Sequence, residues 1–257
     1  RQCRPWKEQT ERESVQLAGD DADARKDAQL ALAALLAQRW SKTMRADATK
    51  PSADEAYSEA ESMLKEMIAA APDDYDAHLQ LAILYKAAQK PQDELELCES
   101  RLKRGLVRRG VEGTRNRVNA FRLMIYASEA CVAQAITALQ AGDTEGQQKA
   151  LARAQQFVDD AKGEFSTHPR ALSQAGRVAI ARGNYGVAVA NLRAAEEGYR
   201  AFDAIDWENK IILAQVHLQL GESGAARNVL EESLEQARSA RAKDPTYWIT
   251  YAQTLFQ

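Results

Sequence analysis

The stretch PRALSQAGRVAIARGNYGVAVANLRAAEEGY, residues 169–199, decides how the chain reads. Leu172, Ala175, Gly176 and Ala179 share one face at helical spacing, Gly183-Asn184-Tyr185 interrupts the run, and Ala188, Leu192 and Ala195 form a second apolar face. The first set recurs as Lys210, Leu213, Ala214 and His217, then as Trp248, Tyr251, Ala252 and Leu255, each time 38 positions further on. The second recurs after Gly221 as Ala226, Leu230 and Ser233. A fixed interval in the range of about 20 to 50 residues marks a helical array rather than a single-core domain. The unit is helix, glycine turn, helix.

At these residues the chain resembles the tetratricopeptide repeat family, whose pattern is W-x2-L-G-x2-Y, then A-x3-F and a proline. Gly176, Ala188 and Ala195 stand where that family needs small side chains, because antiparallel helices cross tightly only where facing residues are small. The family repeat is about 34 residues, so an interval of 38 adds roughly one helical turn. Residues 197–204 and 236–243 are the expected extra turns. Lys210 and His217 occupy positions expected to be apolar anchors.

Working outward, no β-branched run of strand length appears, and Gly (13) and Pro (6) are scarce, which favours helix throughout. The expected fold is all-α, a right-handed solenoid of about five and a half antiparallel helix pairs, its handedness and concave inner face being what the resemblance implies. Four regions are expected: a polar lead-in over 1–27, helix pairs over 28–104, a basic loop with an enlarged pair over 105–167, and the regular repeats over 168–257. Asp20 or Asp21 can cap the first core helix, Ser52 with Glu55 forms a capping box, and Thr144 with Gln147 can cap another. Gly105, Gly110 and Gly113 predict a loop over 105–113, followed by a long helix from about Thr114 to Ala141. The chain begins at Arg1 without Met, so it reads as an excised segment, and the helix from Trp248 to Leu255 reads as half of a pair. The compartment is open: cytoplasm is favoured, with the soluble part of a membrane-anchored protein as the alternative. The oligomeric state is equally open.

Chemistry-bearing patterns are sparse. His78, His168 and His217 are about 50 or more residues apart, so burial between helices is the reading for His78 and His217. No nucleophile elbow, phosphate-binding loop or H-E-x-x-H occurs. Cys3, Cys98 and Cys131 are too few for a disulfide framework, and Cys98 takes an apolar helical slot. The expectation is therefore no catalytic residue, no metal and no cofactor. A net charge of −3 argues against a general nucleic-acid binder, and no apolar run is long enough to span a bilayer.

One basic stretch stands out: Arg101, Lys103, Arg104, Arg108, Arg109, Arg115, Arg117 and Arg122, with only Glu112 opposing. It could bind an acidic segment, phosphate or a nucleic-acid backbone, or be a solvated loop balanced by Asp93, Glu94, Glu96 and Glu99. By the resemblance, a groove is lined from the first helix of each repeat by Arg170, Ser173, Arg177, Ile180, Ile211, Gln215, Leu218, Ile249 and Gln253. Such a mixture of amides and aliphatics suits a protein or peptide partner. The Lys/Asn clamp by which some family members hold a chaperone's C-terminal carboxylate is not found at these positions. The expected function is a non-catalytic protein-interaction scaffold. Its rivals are a regulatory or sensor module of a larger protein and an anion binder through the basic stretch.

Overall fold

In a computed structural model the described residues are 4–19, 21–46, 51–105, 110–202, 204–232, 234 and 245–256, and they form helices and turns with no strand among them. The chain divides into two units, residues 1–130 and 131–257.

The first unit holds α1 (Arg4–Leu17), α2 (Ala22–Ala46), α3 (Pro51–Ala70), α4 (Tyr75–Ala87), α5 (Pro91–Lys103) and the first part of α6 (Gly110–Gln140). Each of α1 to α5 packs on its neighbour in sequence, and α2 also reaches α4. Leu32, Leu36 and Trp40 of α2 meet Ala60 and Leu64 of α3 and Leu81 and Leu84 of α4 in one core, where Trp40 lies 5.4 Å from the Tyr57 ring. The polar N-terminal segment is helical, and α1 is tied down by charge: Arg12 pairs with Glu59, and Arg39 reaches Glu8 at 3.1 Å. Asp21 caps α2 by accepting from the amides of Asp23 and Ala24, at 3.1 and 3.0 Å. α3 begins at Pro51, one residue ahead of the expected cap at Ser52.

The second unit holds the rest of α6, then α7 (Thr144–Glu164), α8 (Pro169–Ala181), α9 (Tyr185–Ala201), α10 (Trp207–Gln219), α11 (Ser223–Glu231) and α12 (Pro245–Phe256). Helices α7 to α11 again pack in order, and α12 touches both α10 and α11. Two expectations shift here. The cap of α7 is Asp143, accepting from Gly146 N at 2.8 Å, because it stands one residue before the helix that Thr144 starts. The expected loop over 105–113 ends early, since α6 begins at Gly110; glycines near a helix start cost little where the backbone is not yet fully bonded. The extra turn expected over 197–204 is helical as far as Ala201, and the one expected over 236–243 lies outside the described residues.

The interval seen in sequence has a backbone counterpart. Four hairpin turns share a left-handed residue, Gln89 (φ 54°), Gly142 (73°), Gly183 (74°) and Gly221 (75°). In each, the next amide returns to a carbonyl five residues back: Lys90 to Tyr85, Asp143 to Ala138, Asn184 to Ala179 and Glu222 to His217, at 2.8–3.0 Å. That is the bond of a Schellman helix end, which glycine favours because it has no Cβ to strain at positive φ.

Gly176 explains why the α8–α9 crossing is close: a Cβ there would sit 2.6 Å from Leu192 Cγ. The two anchors that break the apolar pattern are buried with partners instead. Lys210 pairs with Glu196 of α9. His217 donates from Nδ1 to Glu222 Oε2 at 2.6 Å, in the tautomer whose Nε2 accepts from Arg193 Nη2 at 3.3 Å. Because each polar group is matched, the repeat keeps its register through them, with Leu213 and Ala214 buried between.

Candidate functional site

Within the second unit a concavity of about 780 Å³ opens along the first helix of each repeat. α6 contributes Val132 and Ile136, one turn apart on the same face. Arg177, Ile180 and Ala181 come from α8 and Tyr185 from the start of α9. α10 presents Ile212, Gln215, Val216, Leu218 and Gln219, and α12 adds Gln253. The second helix of each pair covers the opposite side of the first: Ala188 and Leu192 of α9 and Ala226 and Leu230 of α11 are fully buried. That division of labour leaves α8 and α10 free to turn their other face to the trough.

The lining is aliphatic with one tyrosine, Tyr185, three carboxamides and one charge. Gln215 donates to Thr250 Oγ1 at 3.4 Å, which links α10 to α12. Arg177, with 27% of its side chain exposed, is held at 2.8 Å by Glu208, whose side chain is 72% exposed and stands outside the lining. Carboxamides can donate and accept, so the walls can pair with peptide groups while the aliphatics take apolar side chains.

Of the groove residues expected from sequence, Arg177, Ile180, Gln215, Leu218 and Gln253 line this trough. Ser173 and Ile211 do not face it. Both are 5% exposed although each stands one turn before a lining residue of its own helix, Arg177 and Gln215; Ile211 packs into the core with Ala214, Leu230 and Tyr247. Arg170 is half-buried and Ile249 exposed, both outside the lining. Sequence reasoning missed Val132 and Ile136, which belong to a long helix outside the 38-residue interval. Ile212, Val216 and Gln219 were findable, since i, i+4 and i+7 on α10 repeat the spacing of a single face.

The basic stretch is dispersed by the fold. Arg101 is 2% exposed: it donates to the carbonyls of Asp73 (2.9 Å) and Gly105 (3.2 Å) and lies 3.6 Å from the Tyr75 ring centroid. Lys103 pairs with Glu99, Arg104 with Asp73 and Arg115 with Asp76, at 3.4, 3.6 and 2.6 Å. Arg117 and Arg122 are exposed on α6. Arg108 and Arg109 lie outside the described residues.

Other reactive side chains are packed. Cys98 and Cys131 are buried thiols. His78 is buried with Nδ1 2.6 Å from the Asp74 carbonyl, and burial lowers its pKa, keeping the ring neutral. Among the described residues no three His, Cys, Asp or Glu come together as a metal site, and no helix is long and apolar enough to cross a membrane.

No family model matches the sequence, and comparison with curated proteins gives no match. Solved structures do resemble it. A thermophilic tetratricopeptide repeat protein of Thermus thermophilus aligns at TM-score 0.62 and 22% identity, over 86% of this chain and 98% of that one. The assembly chaperone of RpL4 aligns at 0.57 and 12%, over 97% and 88%. A tetratricopeptide repeat protein of Parabacteroides merdae aligns at 0.51 and 12%, over 96% and 92%. At such identities the likeness is one of fold, and the fold is that of tetratricopeptide-like repeats.

Proposed function

We propose that this tetratricopeptide-like chain is a non-catalytic interaction scaffold that holds a short segment of a protein partner in the trough of its second unit. The observation that carries the reading is the trough itself: about 780 Å³ bounded by aliphatic side chains of α6, α8 and α10, with glutamine amides set among them. That volume is in the range of sites that enclose a ligand of drug size, or a few residues of peptide. A receptor whose walls are already packed against a second layer of helices loses little freedom on binding, which favours affinity. The fold supports the same reading, since the similar RpL4 assembly chaperone is, by its name, a protein that serves another protein. It is the kind of partner, not RpL4, that carries over.

The test is capture of partners from cell extract with the wild-type chain and with an Ile136→Asp, Gln219→Trp double variant, both positions being exposed at the trough. Partners retained by the wild type should be lost from the variant while its melting temperature is unchanged. Identical partner sets would reject the trough as the binding site.

A further inference from the structure

We infer that the segment held in the trough carries an acidic side chain between aliphatic anchors, and that this carboxylate takes Arg177 from Glu208. The inference rests on the binding reading above and adds the chemistry of the occupant. Of the twelve described residues lining the trough Arg177 is the only charged one, and none of them is acidic. A guanidinium does not give up its proton, so a segment that covers Arg177 and expels water must leave it matched to an anion. Its present match is poorly placed for that. Glu208 sits in the first turn of α10, 72% exposed and outside the lining, and reaches Arg177 by one contact of 2.8 Å.

A carboxylate arriving inside the trough can pair with Arg177 where the surroundings are apolar, and Glu208 then returns to water at small cost. A lysine or arginine on the segment would leave Arg177 with Glu208 and find no carboxylate among the described lining residues, so its own charge would be buried unmatched beside another cation. Neutral polar groups of the segment's main chain are served by Gln215, Gln219 and Gln253. A side chain is favoured over a chain terminus as the source of the carboxylate. From Arg177 on α8 the lining continues to α6 in one direction along the repeats and to α10 and α12 in the other, so an occupant fills it on both sides of the charge.

The experiment is selection of random twelve-residue peptides, displayed by their C-terminal end, on the wild type, Arg177→Gln, Glu208→Gln and the blocked Gln219→Trp chain. Selected sequences are then made as C-terminally amidated peptides and titrated by fluorescence anisotropy. Wild type should enrich sequences with one Asp or Glu among aliphatics. Exchanging that acid for Gln or Asn should weaken binding by about tenfold on wild type, yet by less than about twofold on Arg177→Gln. Glu208→Gln, an exposed change that spares the core, should tighten the acidic peptides by about threefold and leave their neutral versions unchanged. Aliphatic peptides without an acid preference, or with one indifferent to both variants, would overturn the inference while leaving the trough as a binding site. A basic preference would overturn it equally. Failure of wild type to enrich anything over the Gln219→Trp chain would overturn both this and the reading on which it rests.

Discussion

Glu94 on α5 is 3% exposed, and its Oε1 has no hydrogen-bond partner among the described residues. Burial, reinforced by the charge of Glu129 and partly offset by Lys86, pushes its pKa up from 4.5 to about 8. Lys86 cannot rescue it, being engaged by Glu129 Oε2 at 2.6 Å. The sign follows: the folded chain keeps this carboxyl protonated while the unfolded chain ionises it near its ordinary 4.5, so stability falls as pH rises from about 4.5 to about 8. Glu94→Gln keeps the shape without the proton. It should raise the melting temperature at pH 8 by several degrees, on the order of 2 kcal/mol, and the gain should vanish near pH 4.5. A gain of equal size at both pH values in thermal melts would show that ionisation is not the cause. Sequence gave no hint of this site: Glu94 counts there as one of four acids balancing a basic run, and only the fold reveals which acid is inside. The same holds for Arg101, a member of that run by sequence and a buried tie between Asp73 and Gly105 in space.

Among the elements, the α8–α9 pair shows why the helix–turn–helix unit was legible. Its small residues, its glycine turn and its Pro169 at the first helical position are all local, and each maps onto a contact that needs it. Gln89 marks the limit of such signals, because it adopts the left-handed turn without being glycine and so does not announce it. The trough was half legible for a similar reason. Residues fixed by the interval, such as Arg177 and Gln215, were reached, whereas Val132 and Ile136 depend on how a helix of different length is placed. Gly176→Ala tests the packing argument against propensity. Alanine improves an exposed helix by about 1 kcal/mol. Here its methyl would press on Leu192, which is fully buried between Ala188 and Leu213 and cannot swing into solvent. Overpacking costs about 1–3 kcal/mol, so the variant should melt lower than wild type. A higher melting temperature in calorimetry would mean that α9 yields at this crossing.

At the scale of the molecule, the order of packing follows the order of the chain: α1 to α5 in the first unit and α7 to α12 in the second each pack on the next, with α2 to α4 and α10 to α12 the longer steps. A structure built from sequential contacts has no single centre, and its stability is a sum of local and nearest-neighbour terms. Damage should then stay where it is made. Leu192→Ala removes a fully buried side chain from the second unit, a loss of about 2–5 kcal/mol against its neighbours in α8 and α10. Amide hydrogen exchange should quicken in α8, α9 and α10, while α2, α3 and α4, whose core is built from Leu32, Leu36, Leu64 and Leu81, keep their protection. If α2 to α4 lost protection by the same factor, the two units would unfold as one cooperative body, and nearest-neighbour packing would not describe this chain.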